Sequence, residues 1–171
     1  DFFNERADSP RHKRAGVYTS YYFGKDDKRV QLILLDTRYF RTPLKKIEGK
    51  PPYRRMGKWG PDLSPSATML GADQWKWLED ELKRPARVRM IASSIQFAAP
   101  HHGYETWLNM PGEHQRMIDL IQKTHAEGVV FLSGDIHSSE LCIHEPKNGY
   151  PLIDHTSSIL NIPLGAASTH R

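Results

Sequence analysis

Apolar residues recur along this chain with two different periods, and the periods alternate. Val17 to Phe23 is rich in Tyr and Thr, then Gly24-Lys25-Asp26-Asp27 signals a turn, and RVQLILL at 29–35 follows as an apolar run. Together they predict a β hairpin. Ala72 to Arg84 carries Trp75, Leu78 and Leu82 at helical spacing, with Asp73 in the first turn and Pro85 as a stop, so a helix is predicted there. VRMIASSI at 88–95 predicts a strand. Pro111 suits a first helical turn, and Met117, Ile118 and Ile121 mark the buried face of a second helix expected to end near Gly128. Val129 to Leu132 is a short continuous apolar run, the kind buried on both faces of a parallel sheet.

Strand, helix, strand, helix, strand in this order predicts two successive crossover units. The expected class is α/β, a largely parallel sheet covered by helices, in a single domain over residues 1–171. Residues 41–69 hold Pro43, Pro51, Pro52, Pro61 and Pro65 and form a connection too long for a simple link; a lid or substrate-selecting loop is the expectation.

Composition narrows the class without changing it. A chain that is 38% hydrophobic and 26% charged folds, and 171 residues suffice for one core. One cysteine, Cys142, excludes an internal disulfide framework. The longest apolar runs are far too short for a bilayer span, so no membrane crossing is expected. The net charge of +4 is partly local: Arg11 to Arg14 form one basic cluster, and Arg41, Lys45, Lys46, Lys50, Arg54, Arg55 and Lys58 a second. Basic clusters attract phosphate esters or nucleic acid, and are more often plain solvated surface. The chain opens at Asp1-Phe2-Phe3 with neither start methionine nor signal peptide, so it is expected to begin after processing or partway through a larger protein.

Ligands of open α/β sheets gather outside the carboxyl ends of the strands. The residues there are Asp36-Thr37-Arg38, Ser93-Ser94-Ile95-Gln96 and Ser133-Gly134-Asp135-Ile136-His137, all polar and chemically capable. Asp135 and His137 are metal-ligand types two residues apart, a spacing that puts both on one side of an extended strand. The plainer reading is that they cap a turn. Asp36 and Arg38 form either a structural ion pair or part of a site. Gln96 is a hydrogen-bonding residue or, in the metal reading, a third ligand. His101 and His102, beside Pro100 and Gly103, are loop residues, and His114, His125 and His144 are expected on element surfaces.

Six stretches carry a family resemblance: RVQLILLDTRYFRTPL at 29–44, TMLGADQWKWLEDEL at 68–82, IASSIQ at 91–96, WLNMPGEHQRMIDLI at 107–121, VVFLSGDIHSSEL at 129–141 and LIDHTSSILNIP at 152–163. In this order they resemble the alkaline phosphatase D (PhoD-like) proteins, which belong to the calcineurin-like metallophosphatases. The resemblance implies β sheets flanked by helices in four layers (α/β/β/α). It also implies hydrolysis of phosphate monoesters or diesters at a metal centre of iron, calcium, zinc or manganese. Asp135 and His137 match the GD-x-H element, which implies His137 as a metal ligand and Asp135 as a ligand or as an acceptor behind one; Gln96 is the third ligand candidate, and His137 with Arg38 are the catalytic candidates. Arg38 matches the LDTR element and would hold the phosphoryl group; apart from the resemblance, the basic residues of the 41–69 loop, Arg54 and Arg55 among them, are expected to attract phosphate. Trp107 and Asn109 match a segment bordering the site and stand as substrate-binding candidates. Secretion or a periplasmic location is the tilt the resemblance adds.

The early D-x-H strand end and the GD-x-x-Y and N-H-D elements that supply most ligands of such a centre do not occur in this chain, whose one D-x-H, Asp135-Ile136-His137, is the late GD-x-H element. It resembles the carboxyl-terminal half of such an enzyme, and a missing amino-terminal half or another chain is the expected partner. Two other classes compete. One is a catalytically incomplete binding or assembly module. The other is a nucleic-acid-binding domain using Tyr21, Tyr22, Tyr39 and Tyr53 near basic residues, and it is the least favoured.

Overall fold

The computed structural model describes residues 5–49, 57–100 and 102–158. These form a six-stranded mixed sheet in the order β1-β2-β3-β4-β6-β5. The strands are β1 (Thr19–Phe23), β2 (Val30–Leu34), β3 (Val88–Ala92), β4 (Val129–Ser133), β5 (Ser139–His144) and β6 (Leu152–Ser157), and the helices are α1 (Gly71–Leu82) and α2 (Pro111–Lys123). The expected hairpin is present as antiparallel β1 and β2, and β2, β3, β4 and β6 run parallel. β5 closes the other edge antiparallel to β6.

The helices cover one face of the sheet and not both. β2, β3 and β4 step across the sheet in a single direction, and right-handed crossovers taken in one direction leave α1 and α2 on the same side. That side is the core: Ile33, Ile91 and Phe131, in register across three strands, pack with Trp75, Leu78 and Leu82 of α1 and Met117, Ile118 and Ile121 of α2. The opposite face carries a second apolar row, Tyr21, Leu32, Met90, Val130, Ile153 and Ile143, again aligned by register. Its centre is half-buried and its ends are open, with Tyr21 41%, Ile153 38% and Ile143 58% exposed. Among the described residues, helices therefore cover β4 on one face only.

Element ends differ from expectation for local reasons. β3 stops at Ala92 and not Ile95 because the Ser93 hydroxyl turns back onto its own strand, donating to the Ile95 carbonyl at 2.7 Å. α2 stops at Lys123, well before Gly128. His125 takes a left-handed φ of 51°, its N–H bonds the Gln122 carbonyl, and the Ala126 N–H bonds that of Ile121. This is a Schellman close with His where Gly is usual.

The long connection at 41–69 is pinned at several places. Lys46 bridges Trp59, Gly57 and Trp59 donate to His102 and Gly103, and Asp62 donates to Asn109. A Cβ at Gly57 would lie 2.1 Å from the Gly103 carbonyl oxygen, so this close approach requires glycine. The buried Glu113 carboxylate fastens the connection to both helices, accepting from Thr68, Met69 and the Trp75 indole at 2.7 to 2.8 Å. Arg54 and Arg55 lie outside the described residues.

His114, expected on a surface, is buried at 5% exposure, stacked on Phe97 at 4.5 Å and edge-on to His144 of β5 at 5.0 Å. Burial first, and then the charge of His144, push its pKa down to about 4. The unfolded imidazole titrates near 6.5, so it binds a proton that the folded state refuses between those values. Stability is therefore full above about pH 6.5, falls as pH drops through that window, and levels out below about 4. Urea unfolding across it is expected to lose up to about 3 kcal/mol, and His114→Phe to flatten the curve; equal slopes for the two proteins would refute this.

Candidate functional site

The loops at the carboxyl ends of β2, β3, β4 and β6 meet. Thr37 and Ser94 hydroxyls lie 2.5 Å apart. At the tip of β4, a Cβ on Gly134 would sit 3.5 Å from Ser158 and 3.9 Å from the Ser94 carbonyl. Arg38 spans from the β2 tip to the β4 tip, its Nη2 3.5 Å from Asp135 Oδ1, and its Nη1 donates to Glu105. Arg41 donates to the same Glu105 oxygen at 2.8 Å.

Asp36 and Arg38 do not form a side-chain pair. The Asp36 carboxylate accepts backbone N–H groups of Val17, Arg38 and Tyr39, each at 2.9 Å. Burial would raise its pKa, and these three N–H donors hold it below the usual carboxylate range. Asp36 thus folds the loop that presents Arg38. Burial likewise acts to raise Glu105, and the arginines 41 and 38 overcome it, so this carboxylate stays ionised. Sequence reasoning missed Glu105 because its partners lie 64 and 67 positions away and no local pattern links them.

Asp135 and His137 do not lie on an extended backbone. Both have left-handed φ values, 75° and 56°, and the Ile136 N–H bonds the Gly134 carbonyl at 3.0 Å, which makes Asp135 the centre of a γ-turn. Such a turn is strained for a residue with a Cβ, and strain of this kind concentrates at functional sites. Both side chains are exposed, and the His137 N–H is tied to Ser158 Oγ at 2.9 Å.

Gln96 is buried and its amide is fully engaged. Its nitrogen donates to Glu140 and Thr156 at 2.9 Å, and its oxygen lies 3.0 Å from His102 Nε2. Because His102 Nδ1 accepts the Tyr104 N–H, Nε2 carries the proton and is the donor to Gln96. A metal-ligand role for Gln96 would cost it this partner. Trp107 and Asn109 are 0% and 1% exposed and sit behind the site. The Trp107 indole donates to Ser93 at 3.0 Å, and Asn109 closes a capping box by accepting the Thr106 N–H at 2.7 Å. Both side chains are thus engaged in internal bonds.

Among the described residues no three His, Cys, Asp or Glu side chains gather as a metal ion would require. Asp135 and His137 are two donors, short of the three or four that catalytic and structural sites use. The described residues alone do not make a metal centre. A cleft of about 300 Å³ opens at the far end, between α2 and the Pro146–Tyr150 turn. The tyrosines of the nucleic-acid reading have separate surroundings where they are described. Tyr22 gives its hydroxyl to Glu81, Tyr21 lies on the open sheet face, and Tyr53 is outside the described residues.

A family model described as PhoD-like phosphatase matches residues 5–161. The chain belongs to the PhoD-like phosphatase family. Alkaline phosphatase D of Bacillus subtilis (strain 168) is 30% identical over 116 residues, 62% of this chain and 19% of that protein. A solved structure titled "Structure of PhoD" superposes with a TM-score of 0.62 at 24% identity, over 81% of this chain and 28% of the other. That likeness shows the fold, a calcineurin-like α/β arrangement. The chain spans about a fifth of the curated relative it matches. In this PhoD-like sheet, the second β layer of a four-layer arrangement is not among the described residues.

Proposed function

We propose that the chain forms part of a phosphoesterase and that the strand-tip site holds the phosphoryl group of a monoester or diester. The observation that carries this is Arg38, fixed at one nitrogen by Glu105 and facing Asp135 at 3.5 Å from another, with its side chain 45% exposed. A guanidinium held this way presents two parallel donors to phosphate oxygens and offsets their charge. The neighbouring strand tips carry small groups, Thr37, Ser94 and Gly134. Family membership supports the reaction class.

A metal cofactor, iron, calcium, zinc or manganese, belongs to the same proposal. Asp135 and His137 would contribute to it, and further donors would come from outside the described residues. The open apolar sheet face supports the partner: two sheets stack about 10 Å apart when each offers such a row, so a second sheet from the rest of the protein or from another chain is the proposed cover. No described helix is long and apolar enough to cross a membrane; a secreted or periplasmic location remains part of the proposal. That same face also favours a second reading, in which the chain serves assembly and the chemistry lies with its partner.

Arg38→Ala in the intact protein tests the first reading. Hydrolysis of bis-p-nitrophenyl phosphate and competition by inorganic phosphate are expected to weaken about 10- to 100-fold, the range for a lost charge-assisted contact. Unchanged values for both would leave the assembly reading standing.

A further inference from the structure

We infer that Glu105 is a positioning residue for this site: it aims Arg38 at the bound anion while Arg41 holds it in place, and Asp135 is the partner that the anion displaces. The inference rests on the phosphoryl-binding reading above.

Four charges of alternating sign run across the strand tips, Arg41, Glu105, Arg38 and Asp135. They come from three separate loops, those after β2, β3 and β4. The two carboxylates are not equivalent. Glu105 is 23% exposed and takes direct hydrogen bonds from two arginines on one oxygen, whereas Asp135 is 42% exposed and makes a single longer approach at 3.5 Å. Charge pairs weaken as water enters between them, so the Asp135 side of Arg38 is the weaker one. An arriving phosphate oxygen therefore replaces Asp135 and leaves Glu105 bound.

The backbone carrying Glu105 is built to be stiff. Its neighbour Thr106 is fully buried, pairs with Gln96 in a parallel bridge, and caps the 3-10 turn Trp107–Asn109 by accepting the Leu108 N–H at 2.8 Å. Asn109 answers by accepting the Thr106 N–H. The loop tip that bears Glu105 is thus anchored one residue away from the core, and Arg41, 15% exposed, fixes the carboxylate from behind. Arg38 by itself is a long side chain with several rotamers; a held carboxylate removes that freedom before the anion binds, which improves affinity without adding a contact to the ligand.

A double-mutant cycle on the intact protein decides the matter, with competition by inorganic phosphate and the KM for bis-p-nitrophenyl phosphate as readouts. Glu105→Gln keeps the shape and removes the charge; it is expected to raise both constants about five- to tenfold while kcat changes less than about twofold. Glu105→Asp, charged but one methylene shorter, is expected to fall between. In an Arg38→Ala background Glu105→Gln is expected to have no further effect, because the group it orients is gone. The same several-fold loss in both backgrounds would overturn the inference, since Glu105 would then act independently of Arg38. So would unchanged constants for Glu105→Gln. If Arg38→Ala itself leaves phosphate competition intact, the phosphoryl-binding reading falls and the inference falls with it, an outcome distinct from failure of Glu105 alone.

Discussion

Asp154→Ala is expected to lower stability by about 4 kcal/mol, among the largest effects of any single substitution in the chain. Asp154 is fully buried on β6, and its two oxygens serve three donors from two other elements. One oxygen accepts the N–H groups of Phe97 and Ala98 at 2.7 and 2.9 Å; the other accepts the Ser133 hydroxyl at 2.7 Å. Alanine would strand all three donors in the interior, each at about 1 to 3 kcal/mol, partly relieved by relaxation. Asparagine is the informative control. Its oxygen can keep the two N–H groups and its nitrogen can donate to Ser133 Oγ, so Asp154→Asn is expected to cost only about 1 kcal/mol. Urea unfolding of the two variants should separate by several kcal/mol. Equal losses would mean that the negative charge matters here and the hydrogen-bond pattern does not.

The same substitution is expected to blur the site. Ser133 ends β4 just before the turn that carries Asp135 and His137, and its hydroxyl also lies 2.9 Å from Thr156, which receives Gln96. A continuous chain of hydrogen bonds thus runs from Asp154 through Ser133 and Thr156 to Gln96 and His102 under the strand tips.

Trp107→Ala is the second, at about 4 kcal/mol, the ordinary cost of emptying the space of a fully buried tryptophan. Trp107 packs edge-on against Trp75 at 6.3 Å and Phe97 at 5.5 Å, and Phe97 in turn stacks on Phe131 of β4 at 3.8 Å. The ring ties α1, the loop after β3 and the sheet together. Trp107→Phe is expected to recover most of that packing while leaving Ser93 without its indole donor, at about 1 to 2 kcal/mol. In both variants, phosphate affinity of the fraction that remains folded should stay within about twofold of the parent if Trp107 supports a wall without touching the ligand. An unaltered unfolding midpoint combined with a large rise in KM would restore Trp107 to the substrate.

Legibility of the fold followed burial. β2, β3, β4 and both helices announce themselves because their inward residues are apolar at the proper period, Ile33, Ile91, Phe131, Leu78 and Ile118 among them. β6 hides because its inward positions after Leu152 are Asp154 and Thr156, while Ile153 faces out. Pattern reasoning sees a polar residue and assigns it to solvent; here donors from 21 to 57 positions away pay for its burial. His114 deceives in the same way, since an imidazole stacked on Phe97 behaves as core. The arrangement of both helices on one face follows from strand order, which no local window contains.

The chain's own order of residues determined the α/β class, the hairpin start, the two helices and the place of Arg38, Asp135 and His137 just past strand ends, because these depend on periods and spacings within about a dozen residues. Only the tertiary structure decided that Arg38 is shared by Glu105 and Asp135, that Gln96, Trp107 and Asn109 are spent on internal bonds, and that Asp135 sits in a left-handed turn. The reason is physical: a charge finds its partner by distance in space, and the loops that bring these groups together are separated by tens of residues along the chain.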